Sequence, residues 1–334
     1  LHALPVDFHL GLITPLPKPG APALLSPAAY RPITLLNTTY RLLGRIIATR
    51  FAHAMGPCIG IDQSAFLPSR HIEDSIFFTS LLDAALATLP TPSATFHLDI
   101  AKAFDTVDRA CLFRIMATLG CNEGMLQWAR LLLTDTRAST VANGTLSPPL
   151  AWHAGVRQGC PLSPLLYLFA AQALSSWLHS QPSLGVNIDG TRHVSNHFAD
   201  DTKLVATDVL SHPPTALPPA LLTFEHALGQ ATSLPKSVGL LQAPAPLLQA
   251  PSHIGSIPLV PFTTALGVPV TPLPPAPSPP RHTSPYTTRA SLRAPRQPLP
   301  LPPHSLSAWT QALQSATCRL GRLRRLPLSA MGKG

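Results

Sequence analysis

Two adjacent carboxylates, Asp200 and Asp201, lie inside Val194-Ser195-Asn196-His197-Phe198-Ala199-Asp200-Asp201-Thr202-Lys203-Leu204-Val205. Extended, partly apolar runs flank the pair with almost no linker, which predicts a tight β-hairpin carrying both acids at its bend. Adjacent acids at a bend suit a divalent cation. A third acid, Asp99, falls in Thr95-Phe96-His97-Leu98-Asp99-Ile100, where apolar Phe96, Leu98 and Ile100 alternate with Thr95, His97 and Asp99. That period of two predicts a strand with Asp99 on its polar face. If the strand pairs beside the hairpin, three carboxylates converge. Unit charges about 4 Å apart repel by roughly 4 kcal/mol at an effective dielectric of about 20, so three ionised acids need cations between them. An all-oxygen set selects Mg²⁺ or Mn²⁺, with waters and substrate phosphates completing the coordination. The chemistry this implies is metal-assisted phosphoryl transfer.

The elements around these acids are legible from periodicity and capping. A helix is predicted from about Thr38 to Met55, with Leu42, Leu43, Ile46 and Ile47 as its apolar stripe and Arg41, Arg45 and Arg50 on a solvated face. Asp62-Gln63-Ser64-Ala65-Phe66-Leu67-Pro68-Ser69-Arg70 reads as a loop, followed by a helix over Ile72 to Leu86. Arg70, just before that helix, is a fork-shaped cation that could meet a triphosphate, or simply an exposed loop arginine. After the Asp99 strand, Asp105 reads as an N-cap with Asp108 three residues on, then Val107, Cys111, Ile115 and Leu119 up to Gly120. A helix over Met125 to Leu133 precedes a hairpin through Ala142-Asn143-Gly144-Thr145, where Asn-Gly is a strong turn signal. Gly155-Val156-Arg157-Gln158-Gly159-Cys160-Pro161-Leu162-Ser163-Pro164 offers backbone freedom at its glycines and a helix start, with Ser163 as N-cap and Pro164 at the first helical position. Pro161 to Leu178 is uncharged and apolar, but its prolines leave roughly 14 residues for a helix, below the ~20 a bilayer requires. A buried helix is expected there.

Composition bounds the rest. A chain of 334 residues can bury a sizeable core and form two subdomains. The net charge of +9 is unevenly spread: residues 1–225 carry −1 and the remaining 109 carry +10. The basic excess therefore belongs to the tail and does not by itself argue for a basic catalytic groove. Half of the 40 prolines also follow Glu225, a composition that disfavours a packed core and predicts disorder. Five cysteines (Cys58, Cys111, Cys121, Cys160, Cys318) without CxxC spacing support neither a disulfide framework nor a zinc site. A reducing, intracellular setting in nucleus or cytoplasm is expected, with no membrane and no disulfide-linked partner. The opening Leu1-His2-Ala3 lacks an initiator Met and a signal peptide, which suggests a fragment or a translated relic.

Taken in order, the motifs resemble a known family. Tyr30-Arg31-Pro32-Ile33 with Leu35-Leu36-Asn37, Gln63 to Arg70, Leu98-Asp99-Ile100-Ala101-Lys102-Ala103-Phe104-Asp105, Arg157-Gln158-Gly159-Cys160-Pro161-Leu162-Ser163-Pro164 and Phe198-Ala199-Asp200-Asp201 resemble the reverse transcriptase domain of non-long-terminal-repeat, LINE-type retrotransposons. Phe224 to Ser237 and Leu266-Gly267-Val268-Pro269 look like its two later palm motifs. The resemblance implies an α+β right-hand polymerase whose antiparallel palm sheet is backed by helices. It implies fingers over 1–93 and a palm over 94–240. A proline-rich, disordered stretch over 241–305 with a remnant palm motif near 262–270 would follow, then a basic helical remnant of a truncated or degenerate thumb over 306–334. Asp99, Asp200 and Asp201 would hold two Mg²⁺ or Mn²⁺ ions, and Lys236 would give a proton to pyrophosphate. Arg70, Arg31, Gln158 and Phe104 would meet the nucleotide, Phe104 by excluding a ribose 2′-hydroxyl. RNA template, DNA primer and dNTPs are the implied partners. Where the family has Gly before the loop phenylalanine this chain has Ala65, a strain if φ is positive there. The rivals are an RNA-dependent RNA polymerase, in which Asp105 would sit near the ribose, and a non-catalytic relic. The relic would bind RNA through Arg319-Leu320-Gly321-Arg322-Leu323-Arg324-Arg325.

Overall fold

The computed structural model describes residues 6–18, 26–214, 217–243 and 251–272. The order begins with β1 (Leu10–Pro17), β2 (Tyr30–Leu36), α1 (Thr38–Met55), α2 (Ile72–Ala87), β3 (Ser93–Leu98) and β4 (Ile100–Ala101). It continues with α3 (Ala103–Thr106), α4 (Arg109–Thr118), α5 (Glu123–Leu133), β5 (Arg137–Ala142), β6 (Thr145–Leu146), β7 (Leu150–Ala151) and α6 (Ser163–His179). Then come β8 (Val186–Ile188), β9 (Thr191–His193), β10 (Ser195–Phe198), β11 (Asp201–Ala206), α7 (Leu217–Leu228), β12 (Ala231–Thr232) and β13 (Val238–Gln242). Two small hairpins close the described chain, β14 (His253–Ile254) with β15 (Ile257–Pro258) and β16 (Thr263–Ala265) with β17 (Val268–Val270).

Two sheets organise the molecule. The central one runs β10-β11-β3-β13, antiparallel throughout. The other runs β2-β1-β5-β6, with β7 also on β5 and β1 parallel to β5. Residues 137–151 thus pair with the N-terminal strands although they lie within the 94–240 segment. Helix α6 packs between α4, α7 and β10 under the central sheet. Leu165, Leu166, Leu168, Phe169 and Leu174 are buried around its whole circumference, as a helix apolar on every side must be. Among the described residues no helix is long and apolar enough to cross a membrane. Helix α2 covers the opposite face of the sheet, against β10 and β13. Strand β3 is therefore buried on both faces, Thr95 as completely as Phe96, where the sequence alternation predicts one polar face.

Several local expectations change. In α1 the buried stripe is Tyr40, Gly44, Ile47, Ala48, Phe51 and Met55, while Leu42 and Ile46 are exposed. Gly44 lies on that buried stripe, facing Pro161. Asp105 is not an N-cap: Lys102 at φ +50° and the break at Val107 divide the segment, and Asp108 caps α4 by accepting from the Cys111 N–H at 2.6 Å. Ser163 is the first helical residue and Leu162 occupies the cap position, so the Ser163 hydroxyl is buried without a hydrogen bond. The Asn143-Gly144 turn forms as predicted, both residues at positive φ between Ala142 and Thr145. Phe66 and Ser69, rather than Ala65, take positive φ in the fingers loop, so Ala65 carries no such strain. Residues 253–270 form ordered hairpins in the stretch expected to be disordered. Their prolines 258 and 269 lie in two-stranded ribbons, where a missing N–H is tolerated. Cys58, Cys111, Cys121 and Cys160 are free. Cys318, Arg319–Arg325 and the whole 306–334 segment lie outside the described residues.

Candidate active site

The acid pair sits where the sequence places it. Phe198 pairs with Asp201 across the β10–β11 hairpin, leaving Ala199-Asp200 as a two-residue turn with Ala199 at φ +57°. Strand β11 pairs with β3, Thr202 against Leu98. Carried one residue further, that register sets Asp201 against Asp99. The Asp99 main chain is fixed on its other side: its N–H donates to Ser237 Oγ at 3.2 Å and its carbonyl accepts from the Ser233 N–H at 2.7 Å. Thr232 pairs with Ile100 just beyond. The segment around Lys236 thereby clasps Asp99 from below.

Electrostatics confirms that the three acids share a space. Burial raises the Asp201 carboxyl to about 6, and the charges of Asp200 and then Asp99 add to the rise. Asp200 is also raised, by burial first and by Asp99, with Arg31 opposing. Among the described residues, however, no three His, Cys, Asp or Glu side chains are drawn into a ready-made ion cage. Asp99 Oδ2 is shielded from water and accepts no hydrogen bond, with the largely exposed Lys236 ammonium 3.4 Å away. A carboxylate oxygen met by a single ion-pair partner and no hydrogen-bond donor, beside two further acids, is a donor set that fits a hard divalent cation.

The nucleotide side is built by α3 and the loop before α6. Phe104 stacks on Tyr167 of α6, centroids 4.9 Å apart and planes 12° from parallel. Burial foremost pushes the Tyr167 phenol up, and the charges of Asp200 and Asp201 add to the rise. Gln158 Nε2 donates to Asp105 Oδ1 at 3.1 Å. Burial raises the Asp105 carboxyl, against Gln158, Lys102 and Lys18, which lower it. Two glycines make the loop possible. A Cβ on Gly155 would lie 2.5 Å from the Asp105 carbonyl oxygen, and one on Gly159 would lie 2.2 Å from that of Thr34. The Thr34 N–H donates to the Gln158 carbonyl at 2.7 Å, joining β2 to the loop. Gly159 is at φ +117°, outside the range of other residues. Gly159→Ala is expected to separate β2 from the loop, lowering the thermal midpoint by several degrees and nucleotide use with it. Gly144→Ala, with open space around its Cβ, isolates the cost of φ alone. Differential scanning fluorimetry of the two variants checks this.

Arg70 is placed differently from its sequence reading. Its guanidinium donates to the carbonyls of Gly60 (2.5 Å), Gln63 (2.6 Å) and Ile59 (2.9 Å), with Gly56 at 3.5 Å. Both terminal nitrogens of its guanidinium are thus engaged by carbonyls of its own loop. Arg31 is exposed on β2 and acts on Asp200 across the gap, which suits the nucleotide role. Tyr167 was not marked by sequence, since nothing distinguishes one aromatic within an apolar helix. Gln63 was visible only as part of a loop.

Residues 16–233 match the family described as reverse transcriptase (RNA-dependent DNA polymerase). The chain is 31% identical over 242 residues, 71% of its own length and 33% of the relative's, to a retrovirus-related Pol polyprotein from type-1 retrotransposable element R2 of Popillia japonica. It is 32% identical over 209 residues, 62% of its length and 16% of the relative's, to the transposon TX1 uncharacterized 149 kDa protein of Xenopus laevis. To the probable RNA-directed DNA polymerase from transposon X-element of Drosophila melanogaster it is 29% identical, over 60% of this chain and 21% of that one. The chain thus spans a third or less of these relatives. Apo telomerase from Candida tropicalis, truncated from its C-terminal domain, superposes with a TM-score of 0.53 at 12% identity, covering 82% of this chain and 55% of that one. Telomerase from Candida albicans with a fragment of telomeric RNA gives 0.51 at 13% identity, covering 80% and 45%. At such identities the likeness concerns the fold, a right-hand polymerase of mixed helix and antiparallel sheet. With the ordered motifs and the match over 16–233, these findings establish that the chain belongs to the reverse transcriptase (RNA-dependent DNA polymerase) family, as a domain of the non-long-terminal-repeat retrotransposon type.

Proposed function

We propose that this domain copies an RNA template into DNA by transferring deoxynucleotides onto a primer 3′-hydroxyl. The observation that supports the reading is the placement of the acids: the β10–β11 turn carries Asp200 and Asp201, and the β11–β3 register sets Asp201 against Asp99. Asp99, Asp200 and Asp201 would hold two Mg²⁺ or Mn²⁺ ions, whose charge would favour the primer alkoxide and the leaving pyrophosphate. The chain's own groups do the rest. Arg31 offers a full positive charge to the triphosphate from the fingers strand. Lys236, exposed and 3.4 Å from Asp99, is placed to hold a proton near the leaving group. Gln158 lies in the loop against β2 and α3, where its amide can meet a templating or incoming base. Phe104, braced flat on Tyr167, closes the space beneath the sugar and disfavours a 2′-hydroxyl.

Sugar choice tests this reading against RNA synthesis. Single-nucleotide incorporation opposite a defined RNA base is expected to favour dNTP over NTP strongly. Phe104→Ala is expected to raise the relative use of NTP by about 10² or more, since a site that excludes by shape loses its discrimination when the wall is removed. Equal use of both sugars by the wild type would point to an RNA polymerase instead.

A further inference from the structure

The fingers loop holds the turn that presents the acids. Gln63 is 1% exposed and makes a paired contact with one residue of that turn: its Oε1 accepts from the Ala199 N–H at 2.9 Å and its Nε2 donates to the Ala199 carbonyl at 3.2 Å. Oε1 also accepts from the Ala65 N–H at 3.1 Å, tying the amide back to its own loop. Ala199 is held at φ +57°, a conformation that costs a residue with a Cβ about 1–2 kcal/mol. Something must over-determine such a bend. Next to it, the His197 N–H donates to the Asp62 carbonyl at 2.7 Å and the Ser64 N–H donates to the His197 carbonyl at 3.0 Å. The loop is therefore pinned to β10 at consecutive residues. Arg70, through its four carbonyl partners, fixes the shape of that same loop.

We propose that Gln63 is a positioning residue whose side-chain amide, braced by Arg70, holds the Ala199 turn and thereby sets the placement of Asp200 and Asp201. The chemistry requires Gln. Only a primary amide offers an acceptor and a donor side by side to match one residue's N–H and C=O, and Asn is one methylene too short. Glu keeps the shape but turns the donor into a second acceptor facing a carbonyl. Arg70 acquires a role distinct from gripping substrate: it acts through the loop that carries Gln63. This inference rests on the polymerase reading for its effect on rate, though not for its effect on the hairpin.

The test combines hydrogen–deuterium exchange of the full chain with single-turnover incorporation on an RNA template. In Gln63→Met, matched in volume, the peptide spanning residues 196–202 is expected to exchange faster than in wild type while peptides of α6 do not change. The maximal incorporation rate is expected to fall by about 10²-fold, as misplacing reacting groups by about 1 Å does, with dNTP half-saturation little altered. Arg70→Ala should give the same pattern in weaker form. A grip on the triphosphate would instead raise the half-saturation and leave exchange alone. Ala199→Gly in the Gln63→Met background should recover part of the rate, because glycine adopts the bend unaided. Should Gln63→Met prove unstable, Gln63→Glu is read by exchange in the same way. Unchanged exchange at 196–202 in both variants overturns the proposal. A wild-type chain that extends no primer removes the polymerase reading but leaves the exchange result to decide the clamp.

Discussion

Asp200→Asn is expected to abolish nucleotide addition, with a fall of about 10³-fold or more in the incorporation rate, and Asp99→Asn and Asp201→Asn are expected to do the same. The several kcal/mol of charge stabilisation that bound cations supply to phosphoryl transfer correspond to such factors. None of these changes should unfold the protein. Asp200 and Asp201 are held above their ordinary carboxylate range by burial first, with the charge of Asp99 adding to both and that of Asp200 adding to Asp201. Removing one charge relieves that repulsion, so the melting temperature is expected to stay level or rise. The combination of lost activity and undiminished stability marks a functional carboxylate cluster. Single-turnover incorporation paired with a thermal melt reads both. A variant that keeps its rate, or loses it only by unfolding, contradicts the assignment.

The second large effect concerns stability. Lys203, two residues beyond Asp201 on β11, donates to Asp83 Oδ1 of α2 at 2.6 Å, and both side chains are nearly inaccessible. Burial drives both groups toward their neutral forms, lowering the lysine and raising the acid, and the partner's charge opposes this in each. Asp83→Leu leaves an uncompensated ammonium between α2 and the central sheet. It is expected to cost about 3–5 kcal/mol, or on the order of 10 °C in the melting temperature. Lys203→Met combined with Asp83→Leu should restore most of that loss, because a buried pair contributes little relative to apolar residues of similar volume. Thermal melts of the two single variants and the double form the cycle. A single variant that melts with the wild type would mean that water reaches the pair.

The sequence was most informative where one residue type or one short period decides the geometry. Asp200-Asp201 between two extended runs can scarcely be anything but a hairpin bend, and Asn143-Gly144 leaves the turn little choice. The position of Asp99 followed from alternation, although β3 proved buried on both faces because α2 covers what would otherwise be solvent. Periodicity failed in α1, where several faces are apolar and the fold buries Tyr40, Ile47 and Phe51 while Leu42 and Ile46 stay exposed. It failed again for the cap at Asp105, since the left-handed Lys102 and the break at Val107 have no mark in composition. Arg70 and Gln63 were legible as residues but not as partners. Whether an arginine faces a ligand or four backbone carbonyls of its own loop depends on chain reversal at Phe66 and Ser69, which only the folded path reveals.

The account stands most directly on primer extension by the wild-type chain, with an RNA template, an annealed DNA primer and Mg²⁺. Elongation that needs dNTPs complementary to the template and ceases on chelation is the predicted result. A chain that binds the RNA–DNA hybrid yet adds no nucleotide with either Mg²⁺ or Mn²⁺ would contradict it, leaving a polymerase fold that no longer polymerises.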